Sequence, residues 1–439
     1  MKLYSSDENY KLYHGNMLDM VEVIEPNSID AIVTDPPYEL NFMNCKWDNS
    51  GVAFQKETWE KCYDALKSGG HMLVFGGSRT FHRIACAIED AGFEIRDTIC
   101  WIYGSGFPKS MNIGLAIDKK NGVDNRTGIR KHGNCGSADR HLFDDDNYKW
   151  IDNYEERQAQ NEWAGWGTQL KPSYEPIIVC RKPCEGSIVD NVMKYGVGGI
   201  NIDECRVPIS KDDIDMINAK SSKNPTDNYN RNESKKYGDY ALSIATTANE
   251  QGRFPANTIL TYDDSDFDEV CGGFPNSGSG NGGNPYNYAS KEYDNKETSM
   301  FNGDKPQAPS NYNDNGSASR YFYCAKASKR DRNEGLSSNN KNIHPTIKPI
   351  SLMQYLVKLV TPKGGTVLDP FNGSGSTGKA CMYENADRNA NYKYIGIELT
   401  EEYLPISKAR IEFAEKNPIM DGDSPMKPEE PKDTRNMLF

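Results

Sequence analysis

Regular patterning is confined to the two ends of this chain, and that separation limits its fold more than any other feature. Near the start, Ser28 to Thr34 is an apolar, β-branched run. It stops at Asp35-Pro36-Pro37-Tyr38, where consecutive prolines cannot continue a hydrogen-bonded ladder. The run predicts a buried strand ending in a rigid turn. Phe54 to Lys67 places Phe54, Trp59, Cys62, Tyr63 and Leu66 at helical spacing; Gly69-Gly70 predicts the helix stop and His71 to Phe75 the next strand. Thr80 to Ala91 reads as a second helix closed by Gly92, and Phe93 to Tyr103 as a long strand. Regularity returns after Arg320. Pro349 to Val360 reads as a helix, Thr366 to Asp369 as a strand, Pro370 to Gly375 as a glycine-rich loop, Ser376 to Glu384 as a helix and Tyr394 to Glu398 as a strand. Alternation of this kind is the signature of an α/β fold on a mostly parallel sheet.

Between the ends the periodicity fades. Residues 104–166 are expected to be an insertion, 167–183 to return one core strand (Glu175 to Arg181), and 184–320 to be an irregular recognition region. Asn276 to Asn315 is dominated by Asn, Gly, Ser, Tyr and Asp, too polar to build a conventional core. The expected organisation is therefore 1–103 and 321–416 as two halves of one core, with 417–439, rich in Pro and charge, as a disordered tail. No run approaches the ~18 apolar residues of a membrane span, and the start lacks the apolar stretch of a secretory signal. The 11 cysteines are odd in number and scattered, which points to a reducing cytosol rather than a disulfide framework. Cys180 and Cys184 lack the second pair or histidine that would complete a zinc site, so no metal is expected.

Two motifs carry chemistry. In Asp369-Pro370-Phe371-Asn372-Gly373-Ser374-Gly375, strand, glycine loop and helix follow in the order that lets backbone N–H groups approach a ligand. Glu398, at the end of the next strand, is placed to accept ribose hydroxyls, so a nucleoside cofactor is expected. Gly373 to Lys379 also fits the phosphate-binding pattern G-x-x-x-x-G-K, but Ala380 stands where a magnesium-holding Ser or Thr is required. The glycines alone fit a dehydrogenase fingerprint as well. Asp35-Pro36-Pro37-Tyr38 puts a carboxylate, a free carbonyl and an aromatic ring at the end of a strand. An exocyclic base amine is a poor nucleophile, because its lone pair is delocalised; two acceptors gripping its hydrogens draw the nitrogen towards sp³ geometry. Asp35 and the Pro36 carbonyl are candidate acceptors, held by the Pro37 turn. Tyr38 is a candidate stacking face for a base that has left the duplex.

With these two motifs in this order, the chain resembles the S-adenosylmethionine-dependent DNA amino-methyltransferases of the β arrangement. The resemblance covers roughly residues 12–103, 168–183 and 320–414, and His344-Pro345-Thr346-Ile347-Lys348-Pro349 resembles the family segment beside the cofactor's methionine moiety. It implies a Rossmann-like methyltransferase core with a large irregular target-recognition insert, S-adenosylmethionine as cofactor and DNA as partner, with a second copy of the chain as a further candidate partner. It also implies that Asp369, Phe371, Gly373 and Gly375, with Pro370 and Asn372 between them, line the cofactor pocket. Thr346 and Lys348 flank it, and Glu398 binds ribose. Gly15-Asn16 stands where many relatives carry Gly-Asp; the Asn16 amide oxygen can still accept a bond from the adenine amine. The expected reaction is methylation of adenine N6 in DNA. Cytosine N4, RNA and a protein amide are the alternatives. The whole expectation requires the two distant motifs to meet in space, with Tyr38 and Phe371 sharing one cavity rather than standing on opposite sides of the molecule.

A net charge of −12 excludes indiscriminate DNA affinity, so any electrostatic footprint must be local. Arg320 to Lys363 holds nine basic and two acidic residues. Within it, Lys326, Lys329, Arg330 and Arg332 follow three aromatics, a composition suited to phosphate contacts.

Overall fold

The computed structural model describes residues 1–40, 46–104, 110–123, 159–211, 213–215, 218, 249–262, 276–277, 316–317, 322–326, 329–337 and 341–417. The tail at 418–439 and most of 124–158 and 219–315 lie outside the described residues, as do the expectations placed on them. The chain divides into two compact units: Met1–Gly104 with Tyr174–Phe439, and Ser105–Ser173.

The larger unit is an α/β layer structure. Its strands are β1 (Lys2–Ser6), β2 (Tyr10–His14), β3 (Ile29–Thr34), β4 (Leu66–Phe75), β5 (Glu94–Tyr103), β6 (Tyr174–Arg181), β7 (Thr258–Tyr262), β8 (Tyr323–Lys326), β9 (Thr366–Asp369) and β10 (Lys393–Glu398). They form one sheet in the order β1-β2-β10-β9-β3-β4-β6-β5-β7-β8. Only the β1-β2, β4-β6 and β6-β5 pairs are antiparallel. A separate two-residue ladder pairs Asn276–Ser277 with Gly316–Ser317.

Alternate residues of each strand feed opposite faces, so the sheet has two cores. On one face Ala31, Val33, Leu73, Phe75 and Val367 pack against α6 (Ile350–Val360), α7 (Ser376–Arg388) and α8 (Leu404–Lys416). On the other, Ile32, Met72, Val74 and Leu368 pack against α1 (Lys56–Ala65) and α2 (Phe81–Asp90). Three further helices lie among the described residues: α3 (Ile113–Lys120) in the smaller unit, and α4 (Ile188–Tyr195) and α5 (Lys329–Asn333) in the larger. Within the smaller unit, Asp118 accepts from the Gln160 N–H (2.8 Å) and the Asn161 amide (2.5 Å), tying α3 to the returning chain.

The helices over opposite faces decide where the sheet opens. From β3 the chain crosses through α1 to β4 on one side; from β9 it crosses through α7 to β10 on the other. β3 and β9 are neighbours, with Val367 beside Ala31 and Leu368 beside Ile32. Connections that leave in opposite directions create a crevice at the carboxyl ends of such strands.

Two sequence expectations need correction. Helix α1 ends at Ala65, and β4 begins at Leu66 and runs through Gly69-Gly70, which are therefore not the helix stop. The cause is Lys182, whose buried ammonium donates to the Tyr63 carbonyl at 2.7 Å and the Leu66 carbonyl at 2.8 Å, satisfying the helix end a turn early. The second concerns 184–320 and its flank: β7 and β8 extend the main sheet past β5, so part of that stretch is sheet. Both strands are short, and the polar sequence around them hides their alternation.

Candidate functional site

The crevice between β3 and β9 collects the two motifs. Thr34, the last residue of β3, donates its hydroxyl to Asp369 Oδ1 at 2.6 Å, and the Thr377 hydroxyl donates to Asp369 Oδ2 at 2.7 Å. The Phe371 N–H adds a third bond at 3.1 Å. Burial nevertheless dominates and lifts the Asp369 carboxyl to about 7. Asp369 is thus the pin that joins the glycine loop to β3. Its neighbour Asn372 is also turned inward, accepting from the Tyr394 hydroxyl at 2.8 Å and donating to Ser407 Oγ at 2.9 Å.

What the loop presents is therefore backbone. Gly373 has φ +51° and Gly375, which opens α7, has φ +76°. A Cβ on Gly375 would lie 2.4 Å from Ser407 Oγ, so no other residue fits that close approach. Glu398 is almost completely buried and accepts the Gly373 N–H at 2.6 Å and the Thr400 N–H at 2.8 Å. Burial raises its carboxyl above the ordinary range. Its own carbonyl accepts the Gly15 N–H at 3.0 Å, bringing Asn16 to the same strand end. Asn16 is exposed, and its side-chain oxygen caps the following turn through the Leu18 N–H at 3.1 Å.

On the β3 side, Pro36 is buried and Pro37 half-buried, and the turn is held by Thr80, which donates to the Tyr38 carbonyl at 2.8 Å. Lys348 reaches across from the other chain end and donates to Asp35 Oδ2 at 2.7 Å. The same ammonium lies 3.4 Å from Glu175 Oε2, and the rings of Tyr38, Phe75 and Trp101 surround it. Burial pulls the ammonium towards its neutral form, but Asp35 and Glu175 outweigh burial and hold it above its ordinary range. The Tyr38 hydroxyl donates to Glu175 Oε2 at 2.6 Å, and burial, Asp35 and Glu175 all push the phenol far up, so it stays protonated. Asp35 Oδ1 is buried and has no hydrogen-bond partner among the described residues. A buried, open carboxylate oxygen beside a saturated one is costly to keep unless a ligand fills it.

A family model described as DNA methylase matches residues 29–409, most of the chain. The chain belongs to this DNA methylase family. It is 21% identical to Type II methyltransferase M.HindIII of Haemophilus influenzae over 234 residues, 43% of this chain and 64% of that protein. With Type II methyltransferase M2.MboI of Moraxella bovis it shares 43% identity over 77 residues, 18% of this chain and 25% of the relative. The chain therefore spans less than two thirds of the length of these curated relatives. Among solved structures, PvuII DNA methyltransferase (cytosine-N4-specific) aligns over 93% of this chain and 88% of its own, at 14% identity and a TM-score of 0.41.

In this chain the structure brings Asp35, Tyr38, Lys348, Asp369, Gly373, Gly375 and Glu398 to one edge of the sheet. Lys348 stands against Asp35. Thr346 is exposed, and its carbonyl binds His344 Nδ1 at 2.5 Å. Pro370 is buried, and Phe371 packs with Trp59 on the sheet face opposite Tyr38. The two motifs thus meet through Thr34, Asp369 and Lys348 rather than through their rings. Lys379 of the phosphate-loop lookalike is fully buried and pairs with Glu334 at 2.8 Å, inside the fold and away from any phosphate.

The basic segment splits. Arg332 is exposed and donates to the carbonyls of Asn342 (3.3 Å) and His344 (3.0 Å), while the side chains of Lys326, Lys329 and Arg330 lie outside the described set. Tyr323, one of the preceding aromatics, is stacked on Tyr355 at 4.1 Å and belongs to the sheet packing.

Sequence reasoning passed over four residues. Glu175 reads as the start of a strand. Asp48 accepts the N–H groups of Glu39 (2.9 Å) and Leu40 (3.2 Å), bracing the chain that leaves Tyr38. Arg410 is buried behind the glycine loop and donates to the Ser374 carbonyl at 2.6 Å and its hydroxyl at 2.8 Å. His344 sits over Gly373, between Trp47 and Tyr403, and burial lowers its imidazole to about 4, so it is neutral. Only a charged residue at an apolar helical position, as with Arg410, could have signalled any of these.

Proposed function

We propose that this chain transfers a methyl group from S-adenosylmethionine to the exocyclic amine of a base flipped out of DNA, with adenine N6 as the target. The observation that carries the reading is the open, buried Oδ1 of Asp35 at the mouth of a β3–β9 crevice whose other wall is a glycine loop. Bound there, S-adenosylmethionine supplies an electrophilic methyl group.

The residues fit such a ligand. The Gly373 loop leaves room for close backbone approach, Glu398 offers carboxylate oxygens for ribose hydroxyls, and Asn16 offers an amide to the adenine edge. Asp35 Oδ1 and the Pro36 carbonyl accept the two amine hydrogens and aim the nitrogen lone pair. Tyr38 holds the base by its ring, its hydroxyl tied back to Glu175. Proton loss from the methylated nitrogen goes to water. Lys326, Lys329, Arg330 and Arg332 supply phosphate contacts, and base reading belongs to the part of 184–320 outside β7. The described cysteines are free, which supports a reducing cytosol as the place of action.

The test is to express the chain in a methylation-deficient host and sequence the DNA with a readout separating 6-methyladenine from 4-methylcytosine. A single motif carrying 6-methyladenine is the expected result. 4-Methylcytosine would transfer the reading to cytosine, and unmodified DNA would overturn it.

A further inference from the structure

Glu175 takes no part in either sequence motif, yet it closes the charge arithmetic of the site. It stands at the amino end of β6, the strand that runs antiparallel between β4 and β5, and lies opposite Trp101 in the register with β5. Because β6 is reversed, its start falls at the carboxyl ends of its neighbours, beside the catalytic turn. Its Oε2 takes the Tyr38 hydroxyl at 2.6 Å and lies 3.4 Å from the Lys348 ammonium; its Oε1 takes the Tyr103 hydroxyl at 3.2 Å. The side chains of Lys348, Glu175 and Asp35 are 8%, 19% and 24% exposed, so water screens their charges little.

Lys348 and Asp35 alone would make a neutral pair. With Glu175 the group carries one net negative charge, and the two phenols are neutral donors. Asp369, the next carboxyl along the edge, is committed to Thr34 and Thr377. During transfer the N–C bond forms as the S–C bond breaks, and its electron pair stays on sulfur. One positive charge passes from sulfur to the amine nitrogen, which then gives a proton to water. A site with one uncompensated negative charge stabilises that cation throughout.

We infer that Glu175 is a positioning residue of the methyl transfer, keeping the catalytic end of the site anionic after Lys348 has paired with Asp35 and so selecting a positively charged cofactor over its neutral thioether product. This rests on the cofactor reading above. Glu175 also anchors Tyr38, so the charge and the stacking ring are set by one carboxylate.

The test compares binding of S-adenosylmethionine, S-adenosylhomocysteine and an analogue with an ammonium group in place of the sulfonium, by calorimetry without DNA. Wild type is expected to bind both cationic ligands about tenfold more tightly than the thioether. Glu175→Gln, which keeps an acceptor for one phenol and offers the other phenol oxygen an N–H, should erase most of that preference while leaving thioether affinity within about twofold. Glu175→Asp should retain the preference, and Tyr103→Phe, which changes no charge, should leave it untouched. With DNA, Glu175→Gln should raise KM for S-adenosylmethionine about tenfold with little change in kcat or in KM for DNA, because the cation is stabilised before and after transfer alike. Equal affinity of wild type for charged and neutral ligands overturns the inference alone, with no variant needed. So does an unchanged preference in a folded Glu175→Gln. Failure of wild type to bind any of the three overturns the cofactor reading and the inference together.

Discussion

The two turns that face each other across the β3–β9 crevice are built on opposite plans. After β9, the polar side chains point inward and are satisfied: Asp369 by Thr34 and Thr377, Asn372 by Tyr394 and Ser407, and Ser374 by Arg410. After β3, the Asp35-Pro36-Pro37-Tyr38 turn holds a compact set of charges and leaves Asp35 Oδ1 open. One turn spends its side chains on rigidity, so that its backbone can be a fixed cradle. The other keeps an unfilled acceptor, which only a reacting group would complete. Asp369 and Asp35, two carboxylates on one sheet edge, thus differ in whether both oxygens have a donor.

The contrast is broken most directly by Asp35→Ala. Methyl transfer should fall by about 10³-fold or more, while affinity for the neutral thioether product in calorimetry stays within about twofold. Retained turnover would remove Asp35 from the chemistry. On the opposite turn, Arg410→Met should lower stability in urea unfolding by about 3 kcal/mol, because the Ser374 carbonyl and hydroxyl lose their buried donor. Unchanged unfolding would mean the loop supports itself. Gly373→Ala should weaken cofactor binding about tenfold and cost folding about 1–2 kcal/mol, since φ +51° is strained for alanine and its Cβ would sit 3.0 Å from His344 Nε2.

The smallest effect is a pH slope. Native Asp369 keeps its proton up to about 7, whereas the unfolded chain releases it near the ordinary aspartate value of 3.8. Between those values the native state binds more protons, so this group's contribution to stability falls as pH rises. Melting curves from pH 4 to 8 should show wild type losing ground to Asp369→Asn across that window. Parallel curves would show that Thr34, Thr377 and Phe371 fully offset burial.

Local chemistry made part of this legible in the sequence. The strand at Ile29–Thr34 could be read because β-branched residues run into two prolines, and the loop after β9 because its glycines follow a short strand. What escaped reading depends on partners hundreds of residues away. Nothing around Lys182 shows that it closes α1, and nothing around Glu175 shows that it meets Tyr38. Side chains of Asp369 and Asn372 were expected at the cofactor, but the inward bonds that turn them away come from Thr34, Tyr394 and Ser407. Strands β7 and β8 were hidden because each is short and flanked by polar sequence.

The ladder between β3 and β9 also governs how the molecule comes into being. Strands β2 and β3 are made before their partners β10 and β9, which follow only with Lys393–Glu398 and Thr366–Asp369. The central crevice therefore comes into existence only once the chain has been made as far as Glu398, and non-local pairing of this kind is slow.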